Sequence, residues 1–504
     1  LPAVCVRGLV PGETIKGSWV RTKEQDCICK RRTYMNALIS HESAELQPTD
    51  YVWTHKGCVH NEVAALRCRH QLKAPACQLT SELIGDAKAL ARRVLVATDV
   101  EHLVPITKNQ VVSGYSGGKR RAYEQARLSL MIDPLNHRDA GIRMFIKADK
   151  SHDTDYKAPR AIQYRTKRYG LSWSQYVQPM EHALYGLCDW TDTPICAKGR
   201  NAKQRARDLL DKSSRFANPV FLCLDHSKFD AHITQDLLRV ESAFYQALYH
   251  GKHRRTVRMM MRMQMVNKGS TKNGTRYCTP GTRMSGEAST ALGGTTINIL
   301  VLQRWLSQIR NAMYVDGDDS VVIVDACDLN KIPALGKTMQ MMSMETKLEQ
   351  MTTSFEEVEF CQCRPVETVE GWRMVRNPLR VLSRAGWSVL GMPTTLIRRW
   401  VRSVGLCELV LGRGVPILQR LGSLMAEQGA GKYFLTDKHH EARMLQHTVD
   451  RAREVEITED ARASFARAWG VDPATQIMIE ETMSVQICGH ADLHHDDAPH
   501  ARHL

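Results

Sequence analysis

The plainest apolar patterning lies in the middle of the chain. Val220 to Leu224 is a short, unbroken apolar run with β-branched and aromatic members, which predicts a buried strand. From Ser227 to His250 the apolar positions take helical spacing through Phe229, Ile233, Leu237, Phe244 and Leu248, so strand, turn and helix is the expected local order. Met313 to Val324 spells a second strand-turn-strand, with Asp316-Gly317 as the dipeptide favoured in tight hairpins. Between them, Gly281 to Gly294 reads as a glycine-bearing loop running into a helix. Adjacent glycines inside a helix cost about 1 kcal/mol each relative to Ala, so Gly293 and Gly294 predict close approach of a neighbouring helix or a nucleic acid chain. Beyond residue 395 the pattern is helical, whereas residues 1 to 110 predict irregular α/β structure.

Charge adds a partner to this picture. There are 69 Lys+Arg against 54 Asp+Glu, a formal +15 with pI about 9.2, which favours a polyanion and nucleic acid first. The excess is concentrated: Arg143 to Arg168 holds eight Lys or Arg against three Asp, and the turn-rich Ser113 to Arg121 sets Lys119, Arg120 and Arg121 beside glycine amides. A further basic segment has Arg254, Arg255, Arg258 and Arg262 around Met259 to Met261, which reads as an RNA-facing or packed helix. With aromatics at 6%, phosphate contacts are expected to outweigh base stacking.

Length and cysteine content set outer bounds. At 504 residues and 43% hydrophobic, two or three structural units are expected. No apolar run approaches the roughly 20 residues of a membrane-spanning helix, so none is expected. The 15 cysteines, irregularly spaced and including Cys27 and Cys29 beside Lys30 to Arg32, predict reduced thiols. Cys58-x-His60 and Cys68-x-His70 hold four zinc-ligand types, although their one-residue spacing is not a common zinc-finger pattern. The tail from Cys488, with His490, His494, His495, His500 and His503, is expected to be disordered. Opening at Leu1 instead of Met is compatible with a processed product, a readthrough or frameshift extension, or an incomplete frame.

The predicted strands place chemistry. Asp225 falls at the end of the first, and Asp318 with Asp319 at the hairpin tip, where carboxylates leave a rigid sheet and can converge. Three carboxylates suit a pair of Mg²⁺ ions in an in-line phosphoryl transfer, one activating a hydroxyl and the other stabilising pyrophosphate. Alone, Gly-Asp-Asp is a weak signal, because it arises by chance in roughly one chain of this length in ten.

Order and spacing make it specific. Asp225-x4-Asp230, Ser285-Gly286-x3-Thr290 and Gly317-Asp318-Asp319 resemble motifs A, B and C of viral RNA-dependent RNA polymerases, closest to those of tombusvirus-like plus-strand RNA viruses. Tyr115-x-Gly117-x-Lys119-Arg120-x2-Tyr123 resembles motif G, and Lys147-Ala-Asp-Lys150 with Ala158-Pro159-Arg160-x-Ile162-Gln163 resembles motif F. Glu359 to Gln362 resembles motif E, and Gly405 to Leu409 with Gly414-Val415-Pro416 resembles the thumb, so the likeness covers roughly residues 110 to 430.

The resemblance implies an α+β (mixed) right-hand polymerase fold. It places an N-terminal extension with part of the fingers at 1–110 and fingers at 111–219 and 237–280. The palm, on a small antiparallel sheet, falls at 220–236 and 281–379, a helical thumb at 380–480 and a disordered tail at 481–504. It also implies roles. Asp225, Asp318 and Asp319 would hold two Mg²⁺ ions, or Mn²⁺ in their place, and Asp230 would accept a hydrogen bond from the ribose 2′-OH. The competing account of Asp230 is a helix-start capping arrangement with Ser227. Ser285, Gly286 and Thr290 would position template and sugar. Lys147, Lys150, Arg160 and Arg165 would meet the triphosphate, with Arg160 foremost. Lys347 would act as general acid toward pyrophosphate. Gly117, Lys119 and Arg120 would contact RNA, and Cys361 and Gln362, on a strand with Phe360, would grip the growing 3′ end.

One position departs from the family pattern: Gly294 stands where an Asn is usual, leaving Thr295, Thr296 or a water to take over its role. The activity implied is template-directed addition of nucleoside triphosphates to an RNA 3′-OH. Its partners are RNA template and product, with no DNA, and a viral membrane-anchoring protein upstream or separate. That places it in the host cytoplasm at replication membranes. Two alternatives stay open: an inactive polymerase-shaped RNA-binding subunit, supported by Gly294, and a reverse transcriptase, disfavoured by Asp230.

Overall fold

The apolar run around Val220 becomes the strand Pro219–His226, an inner member of a four-stranded antiparallel sheet. The hairpin strands Asn311–Asp316 and Asp319–Asp325 lie on one side of it, and the edge strand Thr346–Thr352 on the other. A computed structural model of the protein describes residues 12–22, 32–34, 36–42, 52–151, 157–388, 392–432 and 452–488.

Side chains alternate across a strand, and here both faces are covered. Leu222, Leu224, Val315 and Val322 pack into the largest core with the helices Gln235–Leu248 and Thr290–Trp305. Phe221, Cys223, Tyr314 and Val321 face the other way, onto Phe360, Met374 and Leu209. A strand buried on both faces has no polar side to alternate with, which is why these segments read as continuous apolar runs.

A five-stranded sheet stands beside it in the order Trp19–Arg21, Arg276–Pro280, Val266–Thr271, Ile142–Ile146, Ala161–Arg165. Its one parallel pair joins Ile142–Ile146 to Val266–Thr271. The basic stretch thus contributes two adjacent strands to a sheet that also takes in the chain just before Gly281.

Three expectations change. Before residue 110 the chain is not merely irregular: Thr80–Ala97 is a helix burying Leu83, Ala87, Leu90, Ala91 and Val94. Small alanines on that face dilute its apolar signal. The single helix expected over 227–250 is broken into Phe229–His232 and Gln235–Leu248, with the Thr234 hydroxyl accepting from the Leu237 amide to start the second. Finally, order runs past residue 481: the strand Ser484–Ile487 pairs with Ile39–Glu42. The five tail histidines, and Cys27, Cys29, Lys30 and Arg31, lie outside the described residues.

The C-terminal region is helical as expected, around a second core. Its helices Thr394–Leu411 and Leu418–Gln428 touch backbone to backbone. A Cβ on Gly405 would stand 2.4 Å from the Ala426 nitrogen, and one on Gly422 2.4 Å from that of Leu409. Among the described residues no helix is long and apolar enough to cross a membrane.

Candidate active site

Sheet register assembles the acidic residues. Leu224 pairs with Ser320, so one step further Asp319 stands across from Asp225; on the other side Lys347 pairs directly with Asp225. Asp316 pairs with Asp319 across the hairpin. Opposed residues in an antiparallel sheet share a face, so Asp316, Asp319, Asp225 and Lys347 form one row across all four strands, with Asp318 projecting from the turn.

The turn itself runs one residue later than the sequence suggested. Because Asp316 and Asp319 pair, the central residues are Gly317 and Asp318, with Gly317 at φ 70° in the first central position that a II′ turn reserves for glycine. Asp316 stays on its strand, its carboxylate held by Lys198 and, at 2.6 Å, by Arg205.

Crowding of like charge marks the row. Burial pushes the Asp319 carboxyl up to about 6, with the charges of Asp318, Asp316 and Asp225 adding to it. Asp225 is raised by burial and then by Asp318, while Lys347 opposes. A donor set of carboxylate oxygens under mutual repulsion fits a hard divalent cation. The sheet aligns these carboxyls without closing them on one point: among the described residues no three His, Cys, Asp or Glu side chains are gathered as a metal-binding group. His70, one of the four zinc-type residues, is buried with its ring against Gln163 at 3.2 Å and Thr282 at 3.0 Å.

Asp230 lies on the short helix Phe229–His232, which starts at a left-handed Lys228 with no side-chain cap, so the capping account has no counterpart. Burial pushes its carboxyl up to about 6 against the pull of Arg283; Asp318 adds, and Arg160 and Arg69 oppose. Arg69 was not singled out by sequence. It sits on a π-helical turn, Leu66–His70, and donates to the Ala158 carbonyl at 3.2 Å. No local pattern could have found it, because its neighbourhood is created by packing.

The loop before the double-glycine helix is stapled to the basic strand Ala161–Arg165. The Ser285 hydroxyl donates to Ala161 O at 2.9 Å and the Gly286 amide to Gln163 O at 2.8 Å, where a Cβ would stand 2.7 Å from that oxygen. The Thr290 hydroxyl donates to Met284 O at 2.9 Å and accepts from the Glu287 amide. Gly293 makes room for a buried ion pair, since its Cβ would meet Glu241 at 2.3 Å and Arg283 at 2.5 Å. Gly294 faces Phe229 at 3.6 Å and the Gly317 Cα at 3.7 Å. The nearest protein atoms to these glycines are side chains and the hairpin turn, not the backbone of a neighbouring helix. Each of the two threonine hydroxyls already makes one bond here: Thr295 accepts from the Gly317 amide and Thr296 donates to Leu292 O.

The basic stretch divides. Arg165 is not a surface cation: it is buried, paired with Glu287 at 2.6 Å, and donates to Ala140 O and Asn267. Lys150 donates to the carbonyls of Arg384 at 2.8 Å and Trp387 at 2.7 Å, at the end of the helix Pro378–Ala385. Lys147 and Arg160 share Asp149, at 3.1 and 3.7 Å, and Arg160 stays 59% exposed. Gly117, Lys119 and Arg120 are exposed in the first turn of the helix Gly117–Ile132, with the Lys119 ammonium 3.8 Å from the Tyr115 ring centre.

Cys361 and Gln362 do not lie on a strand. Phe360 and Cys363 exchange both backbone hydrogen bonds, at 2.9 and 3.0 Å, and close a two-residue turn with Cys361 at φ 51° and Gln362 at φ 60°. Two left-handed non-glycine residues cost about 1–2 kcal/mol each, a strain held in place beside Asp319, whose charge acts on Cys361.

Known proteins are similar to this sequence. A family model described as viral RNA dependent RNA polymerase matches residues 36–487. The RNA-directed RNA polymerase of carnation mottle virus is 31% identical over 390 residues, 74% of this chain and 50% of the relative. That of melon necrotic spot virus is 33% identical over 393 residues, 74% of this chain and 49% of the relative. That of turnip crinkle virus is 29% identical over 425 residues, 82% and 54% respectively. The chain spans about half the length of the curated relatives it matches. With a match running from residue 36 to residue 487, across the four-stranded sheet, four of the five strands of its neighbour and the C-terminal helices, the chain belongs to the viral RNA-dependent RNA polymerase family.

Proposed function

We propose that the protein synthesises RNA on an RNA template, joining the 3′-OH of a growing strand to the α-phosphorus of a nucleoside triphosphate and releasing pyrophosphate. The observation that carries this reading is the row Asp319, Asp225, Lys347 across three strands, with Asp318 on the turn beside it. In this reading the four-stranded sheet is the palm, the five-stranded sheet belongs to the fingers and the helices after residue 380 form the thumb. Asp225, Asp318 and Asp319 would hold two Mg²⁺ ions, which would supply Lewis acidity for the phosphoryl transfer.

The remaining work falls to this chain's own side chains. Asp230 accepts the ribose 2′-OH. Arg160 and Lys147 meet the triphosphate, while Lys150 and Arg165 leave that set for structural roles. Lys347, in register with Asp225, donates a proton to the departing pyrophosphate. Ser285, Gly286 and Thr290 shape the loop on which template and sugar rest, and Gly117, Lys119 and Arg120 contact the template. Cys361 and Gln362 present a rigid turn to the 3′ end. A membrane-anchoring viral partner and cytoplasmic replication membranes complete the setting.

Purified protein with a short RNA template, Mg²⁺ and labelled ribonucleotides is expected to yield labelled RNA, and Asp318→Asn to yield none. Equal product from both would overturn the metal assignment, and a preference for deoxynucleotides would overturn the role of Asp230.

A further inference from the structure

A chain of buried hydrogen bonds ties the hairpin tip to the strand that carries Asp225 and to the edge strand beside it. The Asn298 amide nitrogen donates to Gly317 O at 3.0 Å and to Asp318 O at 3.2 Å. Its Oδ1 lies 3.0 Å from His226 Nε2, and His226 Nδ1 lies 2.7 Å from the Thr346 hydroxyl. Thr295, one turn before Asn298 on the same helix, accepts from the Gly317 amide at 3.1 Å. Asn298 and Thr295 are 0% exposed and His226 3%.

In the neutral ring the directions of these bonds follow from Asn298. Because the Asn298 nitrogen faces two carbonyls, its oxygen faces the ring, so His226 Nε2 must carry the proton. Nδ1 is then an acceptor, and Thr346 donates to it. One neutral imidazole thereby joins the residue after Asp225, the residue before Lys347 and, through Asn298, the peptide of Asp318. The helix also runs close beside the turn at Gly294, where a Cβ would stand in ordinary contact with the Gly317 Cα at 3.7 Å.

We propose that Asn298 and His226, with Thr295 and Thr346, are positioning residues that fix the height of the Gly317-Asp318 turn against Asp225 and Lys347. The inference rests on the polymerase reading for its purpose but not for its geometry. Side chains that orient metal-binding carboxylates act on ion affinity as well as on turnover, and removing such a partner weakens binding by about tenfold or more.

The test uses the full chain without RNA or nucleotides. Mn²⁺ binding is followed by the electron paramagnetic resonance of the free ion, and amide exchange is followed at Gly317 to Ser320. Asn298→Ala is expected to weaken Mn²⁺ binding about tenfold and to speed exchange at the tip while the strands' centres stay protected. Thr346→Val, nearly isosteric and at the rim of the network, is expected to do the same more weakly. Adding it to Asn298→Ala should change little further, since both cut one chain. If Asn298→Ala fails to fold, Thr346→Val decides. Unchanged Mn²⁺ binding and tip exchange in the folded variants would overturn the inference. Weakened binding in the variants of a protein whose wild type makes no RNA would uphold it and overturn the polymerase reading instead.

Discussion

The carboxyls Asp225, Asp318 and Asp319 of the central sheet and the basic stretch Arg143 to Arg168 are both concentrations of like charge, and the fold treats them oppositely. In the row, burial raises Asp319 and Asp225 and their neighbours raise them further. In the basic stretch the fold finds partners: Glu287 for Arg165, the carbonyls of Arg384 and Trp387 for Lys150, and a shared Asp149 for Lys147 and Arg160. A charge that packing satisfies internally serves the structure. A cluster that packing leaves crowded retains the capacity to bind a counter-ion, and that difference separates the two regions better than charge density does.

Substitutions sharpen this contrast. Asp318→Asn should have the largest effect on activity, a loss of about a thousandfold or more in the primer-extension rate. It should leave thermal stability intact or improved, because it relieves repulsion on Asp225 and Asp319. A matching loss of stability would break the comparison from the acidic side. Arg165→Ala should do the reverse. It strands Glu287 in a buried site, so denaturant unfolding should show a loss of about 3–5 kcal/mol, and ordinary stability would return Arg165 to the nucleotide set.

Arg160→Ala, at an exposed position, should leave unfolding unchanged and raise the nucleotide KM about tenfold, the effect of losing one charge-assisted contact. Unaltered KM with normal kcat would show that this cation, too, is only structural. The smallest effect concerns Asp230, whose carboxyl burial raises from 3.8 to about 6. Folding therefore favours its protonated form, so its stabilising contribution is full below 3.8 and is lost as pH rises through about 6. Asp230→Asn should melt about 1–3 °C above wild type at pH 7.5 in metal-free buffer, with the gap closing toward pH 4. A constant gap across that range would mean that Asp230 is not held in this way.

Much of the site was legible before any fold was known. The strand before Asp225, the hairpin around Gly317, the loop at Ser285 and the C-terminal helices announce themselves through apolar spacing and turn residues, which act over a few neighbours. The helix Thr80–Ala97 escaped because its buried face is partly alanine, and the turn at Cys361-Gln362 because nothing local marks two left-handed non-glycine residues.

The linear sequence by itself determined the order of the acidic residues, the strands that carry them and the basic character of the segment that precedes them. Only the tertiary structure decided the frame of the Gly317-Asp318 turn, the burial of Arg165, the tying of Lys150 to the carbonyls of Arg384 and Trp387, the placing of Arg69 near Asp230 and the network through His226. The physical reason is range. Strand and helix signals are written in residues a few positions apart, whereas Arg165 meets Glu287 across 122 positions and His226 meets Asn298 across 72. Partners that distant are chosen by packing, and packing decides which charges remain available for chemistry.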